Sequence, residues 1–312
     1  MNLNKVLPMS IIVLFVLGIG LLLLNNQSQK RAGSENINTI KVVASFYPLY
    51  EFALHVGSNR VTVINTTPAG TEPHDFEPTS QDIASIHAAN IFLYNGSGFD
   101  PWAEKIEEEL TQKGVTVVNL SKHIDLLENQ EEDYEESQFD PHFWLDPVLA
   151  QKEAEVIRDA LIKADPVNEN EYKANSALLI GMLSDLDKRF QVGLASCQLR
   201  EVVTSHAAFG YLANRYNFKQ IGISGLSPDE EPSPQRMGEI AQLAQEKKIK
   251  YIFFETLVSP KLSETIANEI GAQTLVFNPL EGLTEEEIAS GIDYTSIMED
   301  NLNNLKIALS CQ

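Results

Sequence analysis

The chain has 312 residues, 43% of them hydrophobic, with 44 acidic against 23 basic side chains and a formal net charge of −21. That composition is globular and excludes wholesale disorder, and the length allows two domains, each with its own core. So negative a chain is excluded from nucleic-acid binding, which needs basic patches for phosphate; it suits a soluble protein whose long-range field gathers cations.

Lys5 precedes an apolar run over residues 11–24, broken mainly by Gly18 and Gly20. The run has the length of a signal-peptide core and is short for a spanning helix. Residues 25–38 read as a polar spacer, so residues 1–38 are assigned to a signal peptide or N-terminal anchor outside the fold. No small-x-small cleavage site stands beside the run, which leaves both forms open. No cysteine lies near residue 25, so the expectation is that the chain is not a lipoprotein. Either form places the protein in the periplasm or on the outer face of the cytoplasmic membrane.

From residue 39 onward, apolar β-rich runs alternate with amphipathic helical patterns, the mark of parallel sheets covered by helices. In the first half strands are predicted at 40–46, 61–65, 91–94 and 115–120. Helices at 50–56, 80–89 and 102–113 fit between them, the second capped by Thr79 or Ser80. Asp146-Pro147 opens a further helix. Residues 168–194 carry almost no strand or turn signal, and Tyr172, Leu179, Met182, Leu183, Leu186 and Phe190 recur at helical spacing. They predict one helix of about 40 Å at 1.5 Å per residue, a stiff connector where a hinge would want a flexible crossing. In the second half strands are predicted at 201–204, 219–223, 251–254 and 274–277, with helices at 207–216, 234–247, 260–270 and 294–309. The predicted division is an N-terminal α/β lobe over 39–167, the connecting helix over 168–198 and a C-terminal α/β lobe over 199–312. The fold class is α/β: two parallel-sheet lobes joined by one long rigid helix, with a metal site in the cleft.

Residues 128–140 hold seven acidic side chains, Glu128 and Asp140 at their ends, and little to bury. They are expected to form a solvated, disordered loop; the sharper reading is a weak cation-collecting antenna beside His142. The only cysteines, Cys197 and Cys311, meet an oxidising compartment in an exported chain, where two thiols often pair. A disulfide would tie the C-terminal helix to the segment entering the second lobe. The alternative is two unpaired small apolar residues.

Three of the six histidines stand in motifs that suit a metal. His74 lies in Thr71-Glu-Pro-His-Asp-Phe-Glu-Pro78, His142 in Asp140-Pro-His-Phe-Trp-Leu-Asp-Pro147, and His206 in Val202-Val-Thr-Ser-His-Ala-Ala-Phe-Gly210. Imidazole is the commonest protein ligand for zinc, and three of them with one carboxylate fill a tetrahedron. The expected carboxylate is Glu281, in Asn278-Pro-Leu-Glu281. Proline stiffens the approach to His74 and to His142. His206 ends a strand and Glu281 follows the last one, at the edge where α/β sheets hold ligands. His55 and His87 fall inside helical patterns and His123 stands by a helix start, so none of these three is expected to be a ligand.

These segments together, with Ser205-His-Ala-Ala-Phe-Gly-Tyr-Leu212 and Ile223-Ser-Gly-Leu-Ser-Pro-Asp-Glu-Glu-Pro-Ser-Pro234, resemble the zinc-binding proteins of bacterial ABC importers. The likeness is to the ZnuA and AdcA branch of the cluster A-I substrate-binding family and covers residues 39–311. It implies two α/β lobes on a long rigid helix, and His74, His142 and His206 as zinc ligands. Manganese-type relatives use a glutamate third and an aspartate fourth; this chain has His206 and Asn278 there, and an amide is a poor zinc ligand. Glu281 resembles the glutamate that some zinc members use, with water or Glu72 to complete the shell if it does not reach. Glu255 is expected to orient a ligand ring, with Asp75, Asp146 and Arg215 as further candidates. The acidic 128–140 replaces the histidine-rich loop of many zinc members, so a scavenging loop is not carried over.

The expectation is an extracytoplasmic protein that binds one Zn2+ tightly and delivers it to the membrane permease of an ABC importer. It is expected to be a monomer, to catalyse nothing and to bind no nucleic acid. One alternative is the same role with manganese or iron, although imidazole favours zinc over manganese. The other is a zinc hydrolase, since three histidines and a water make a catalytic site. A fourth protein ligand argues against it, as does the lack of Gly-x-Ser-x-Gly and His-Glu-x-x-His motifs.

Overall fold

The computed structural model describes residues 39–129 and 138–312. The expected signal or anchor and the centre of the acidic segment lie outside the described residues. Among the described residues no helix is long and apolar enough to cross a membrane.

The first lobe runs β1 (Ile40–Ala44), α1 (Tyr47–Gly57), β2 (Val61–Asn65), α2 (Ser80–His87), β3 (Ile91–Tyr94), α3 (Pro101–Gln112) and β4 (Thr116–Asn119). Helices α4 (Pro147–Ala164) and α5 (Glu169–Gly193) follow. The second lobe runs β5 (Glu201–Thr204), α6 (Gly210–Tyr216), β6 (Lys219–Gly222), α7 (Pro234–Glu246), β7 (Tyr251–Phe254), α8 (Lys261–Ile270), β8 (Gln273–Val276), α9 (Glu285–Ala289) and α10 (Tyr294–Ala308). All strands pair in parallel, in the orders β2-β1-β3-β4 and β6-β5-β7-β8. In each sheet the order reverses beside the first strand of the lobe, and ligands of such sheets gather at the carboxyl ends there.

The strands read as unbroken apolar runs because both faces of each sheet are covered. Val42 and Ala44 face one apolar cluster while Val43 faces another, and in β3 Ile91 and Leu93 part from Phe92 and Tyr94 in the same way. Val202 and Val203 divide likewise in β5. Two clusters lie under the outer helices. The third runs without a break from Phe46 and Phe52 through Trp144, Tyr172 and Phe190 to Phe253, Phe277 and Tyr294.

Helix α5 is 25 residues long, about 37 Å at 1.5 Å per residue. Tyr172, Leu179, Leu183, Leu186 and Phe190 are buried along it, but Met182, expected on the same face, is 40% exposed. Thr79 caps α2 in a capping box with Asp82, as the sequence suggested. Helix α1 starts three residues earlier than expected, at Tyr47, because a proline in the first turn gives up an N–H that had no partner anyway. Helix α6 starts at Gly210 and not at residue 207, since the Ala207 N–H is taken by the Gly225 carbonyl and that of Phe209 by the Gln220 side chain. The ends of the acidic segment are not loop: Glu128 and Phe139 form an antiparallel bridge, and the Asn129 N–H donates to the Gln138 carbonyl.

Cys197 and Cys311 form a disulfide that closes a separation of 114 residues. A loop that long limits the unfolded chain strongly, by about 2–5 kcal/mol in native disulfides. Cys311→Ser should therefore lower the melting temperature by about 5–10 °C, read by circular dichroism. An unchanged melting temperature in the variant and in reductant would refute this.

Candidate metal centre

His74 follows β2 on an irregular loop. Its backbone N–H donates to Glu72 Oε1 at 3.1 Å, and its ring stands edge-on to Phe99 with centroids 4.6 Å apart. His142 opens a 3-10 turn, Phe143–Leu145, and both its backbone N–H and Nδ1 donate to Asp140 Oδ1, at 2.9 and 2.8 Å. His206 lies just past β5. Its Nδ1 donates to Glu255 Oε1 at 2.7 Å and its backbone N–H to the same oxygen at 3.2 Å. A carboxylate can only accept, so Asp140 and Glu255 fix a proton of each ring on Nδ1 and make Nε2 the nitrogen that a metal would take. Gly210 makes room for one of these carboxylates: a Cβ there would collide with Asp140 Oδ2.

The three Nε2 atoms converge. His142 Nε2 is 3.3 Å from His74 Nε2 and 3.4 Å from His206 Nε2. Glu281 Oε1 completes the figure, 3.4 Å from the nitrogens of His74 and His142 and 3.2 Å from that of His206. A tetrahedron with arms of about 2.0–2.1 Å has edges of about 3.3–3.4 Å, the geometry of zinc with nitrogen and oxygen ligands. Apart from the three imidazoles, neither oxygen of Glu281 has a hydrogen-bond partner, although the residue is 1% exposed. Burying a carboxylate in that way is costly unless a cation lies beside it.

The electrostatics agree with the geometry. Burial alone pulls every one of the three imidazoles toward the neutral form, and for His74 it prevails. For His142 the bonds to Asp140 and Glu281 outweigh burial and raise the pKa. For His206 the charges of Glu255 and Glu281 outweigh it and raise the pKa well above 6.5. Burial would raise Glu281, yet His206, His142 and His74 hold its carboxyl well below the usual range. The cluster thus prefers positive charge at its centre, carried by protons until a metal displaces them.

The other candidates stand elsewhere. Glu72 does not join the converging atoms; burial first and the Glu281 charge second push its carboxyl up to about 10. Asp146 corrects an expectation: it caps α4 through the Val148 N–H and pairs with Arg215 across the lobes, touching no ligand ring. Asp75 touches no ring nitrogen either and raises Asp229 to about 6, burial of Asp229 being the larger cause. His55 lies 3.7 Å from Glu51 and His87 3.6 Å from Glu109, and neither belongs to the cluster. Asp140 was read only as part of an acidic loop. Its signal was local: an Asp two residues ahead of a residue can accept that residue's N–H in an Asx turn.

The family described as zinc-uptake complex component A, periplasmic (ZnuA), matches residues 42–308. The chain belongs to the ZnuA family. It is 41% identical over 308 residues to the high-affinity zinc uptake system protein ZnuA of Bacillus subtilis (strain 168), covering 95% of this chain and 97% of that one. It is 40% identical over 288 residues to the zinc-binding lipoprotein AdcA of Streptococcus pneumoniae (strain ATCC BAA-255 / R6), covering 89% of this chain. The match spans 57% of that relative's length. The crystal structure of the Zn(II)-bound ZnuA-like domain of Streptococcus pneumoniae AdcA matches with a TM-score of 0.77 at 40% identity, over 87% of this chain and 99% of that domain. The ZnuA family is one of zinc-uptake components and not of enzymes. Its two-lobed α/β architecture, expected from the sequence motifs, is the one found here.

Proposed function

We propose that this protein captures Zn2+ outside the cytoplasm with His74, His142, His206 and Glu281 and hands it to the permease of an ABC importer. The observation that supports this reading most is the convergence of three Nε2 atoms and one carboxylate oxygen, with five of the six edges of their tetrahedron at 3.2–3.4 Å. Three imidazoles favour zinc over manganese, which prefers a shell richer in oxygen. Four protein ligands also close the shell. A hydrolase needs one position open for water, so the protein acts as a carrier and not as a catalyst. We assign the lobes to residues 39–167 and 199–312 with 168–198 between them, and the working form to a monomer, since one chain supplies every ligand.

Equilibrium dialysis with metal analysis tests the reading. The protein should retain one zinc per chain in the presence of a large excess of manganese. Equal competition by manganese at similar concentration would refute the zinc assignment. A stoichiometry well above one would refute the single site.

A further inference from the structure

Leu280, which precedes Glu281, has φ of +57° and is fully buried. L side chains adopt this left-handed region reluctantly, so the surroundings must hold the turn there. They hold it through Asn278. Its Oδ1 accepts the Leu280 N–H at 2.8 Å and closes an Asx turn. Its Nδ2 donates to Thr256 Oγ1 at 3.1 Å, one residue beyond the Glu255 that orients His206. Its backbone is paired with Asn301 of α10: the Asn278 N–H donates to Asn301 Oδ1 at 2.9 Å, and Asn301 Nδ2 donates to the Asn278 carbonyl at 2.7 Å. From the other lobe, Trp144 Nε1 donates to the Pro279 carbonyl at 2.8 Å. The turn is thus tied at every residue from 278 to 280. The Glu281 carboxylate has no partner but the three imidazoles it meets. No group outside the cluster bonds to it, so its approach is set by the turn before it.

We propose that Asn278 is a positioning residue for zinc capture, whose side-chain amide sets the Leu280 turn and so directs Glu281 between the three imidazoles. The inference rests on the reading of Glu281 as fourth ligand. Asparagine suits the task better than aspartate. One amide accepts from Leu280 and donates to Thr256 at once, and it adds no second negative charge beside Glu281.

The test is a double-mutant cycle on the full chain, with zinc affinity from competition against a chromophoric chelator and Co2+ absorption as a reporter of ligand geometry. Glu281→Ala should weaken zinc binding. Asn278→Ala should weaken it by about 10- to 100-fold, as for the loss of a residue that orients a ligand. Its visible Co2+ spectrum should move toward that of Glu281→Ala. The double variant should bind no more weakly than Glu281→Ala alone, because Asn278 acts only through that carboxylate. Asn278→Ser keeps a weaker acceptor for the turn and should recover part of the loss. An Asn278→Ala affinity equal to the parent's, or single losses that multiply in the double variant, would overturn the proposal while leaving the fourth ligand standing. An unchanged affinity in Glu281→Ala would overturn both. If Asn278→Ala does not fold, the same cycle with Asn278→Ser decides: its loss must vanish in the Glu281→Ala background, and a persisting loss or none at all overturns the proposal.

Discussion

His206→Ala and His142→Ala should each lower zinc affinity by about 100- to 1,000-fold, whereas His55→Ala and His87→Ala should stay within about twofold of the parent. The size follows from sharing out the ion's binding free energy. Tight four-ligand zinc sites bind with about 10–16 kcal/mol, roughly 2.5–4 kcal/mol per ligand, and each 1.4 kcal/mol is tenfold. His206 carries a further cost, because its loss leaves Glu255, 3% exposed, without the ring it holds. His55 and His87 face Glu51 and Glu109 and lose only those contacts. Competition titration of the four variants separates the outcomes. Similar affinity across all four would refute the site.

Zinc should raise the melting temperature by about 8–16 °C near pH 8 when free zinc stands at about a thousand times Kd, and by almost nothing near pH 5. The sign follows from His142 and His206, whose pKa values are raised in the folded protein. Stability that these two draw from their protons is fully present below the unfolded value of about 6.5 and is lost as pH rises through the folded values. Zinc takes over in the same window, because it binds only the neutral rings. Glu281, held well below the ordinary range, stays ionised throughout and loses its contribution only as pH falls through that depressed value. With two protons to displace, affinity should fall by about 100-fold per pH unit below both imidazole values. Thermal scans at the two pH values check this, and calorimetry in two buffers counts the protons released. A shift undiminished at pH 5 would contradict a three-histidine shell.

The eight strands could be read from the sequence because strands buried on both faces appear as short apolar runs between turn signals. Residues that converge at the centre could be read because each sits beside a proline or a strand end. What escaped was set by tertiary contacts. Asp140 lay in a run of like charges that masked its role, and only the return of the His142 ring onto its own Asx turn reveals it. Asp146 has the composition of a ring partner, yet its two obligations, the α4 cap and Arg215, leave none for a ring. The first proline of α4 was visible but its 18-residue extent was not, since its buried face is built largely from Ala150, Ala154 and Ala160, which give a weak periodic signal. Helix α9, at five residues, is too short to show any period.

The unbroken apolar cluster from Phe46 to Tyr294 also decides how the molecule melts. Chains with two lobes commonly unfold in steps, one core surviving while the other is lost. Here the largest apolar cluster belongs to neither lobe alone. Removing either would break the Phe52–Tyr294 ring contact and the hydrogen bonds from Trp144 Nε1 to the Pro279 carbonyl and from the Tyr294 hydroxyl to the Trp144 carbonyl. Loss of order is therefore expected to be cooperative across both lobes, and an ion bound at the centre would protect a single unit instead of one half of it.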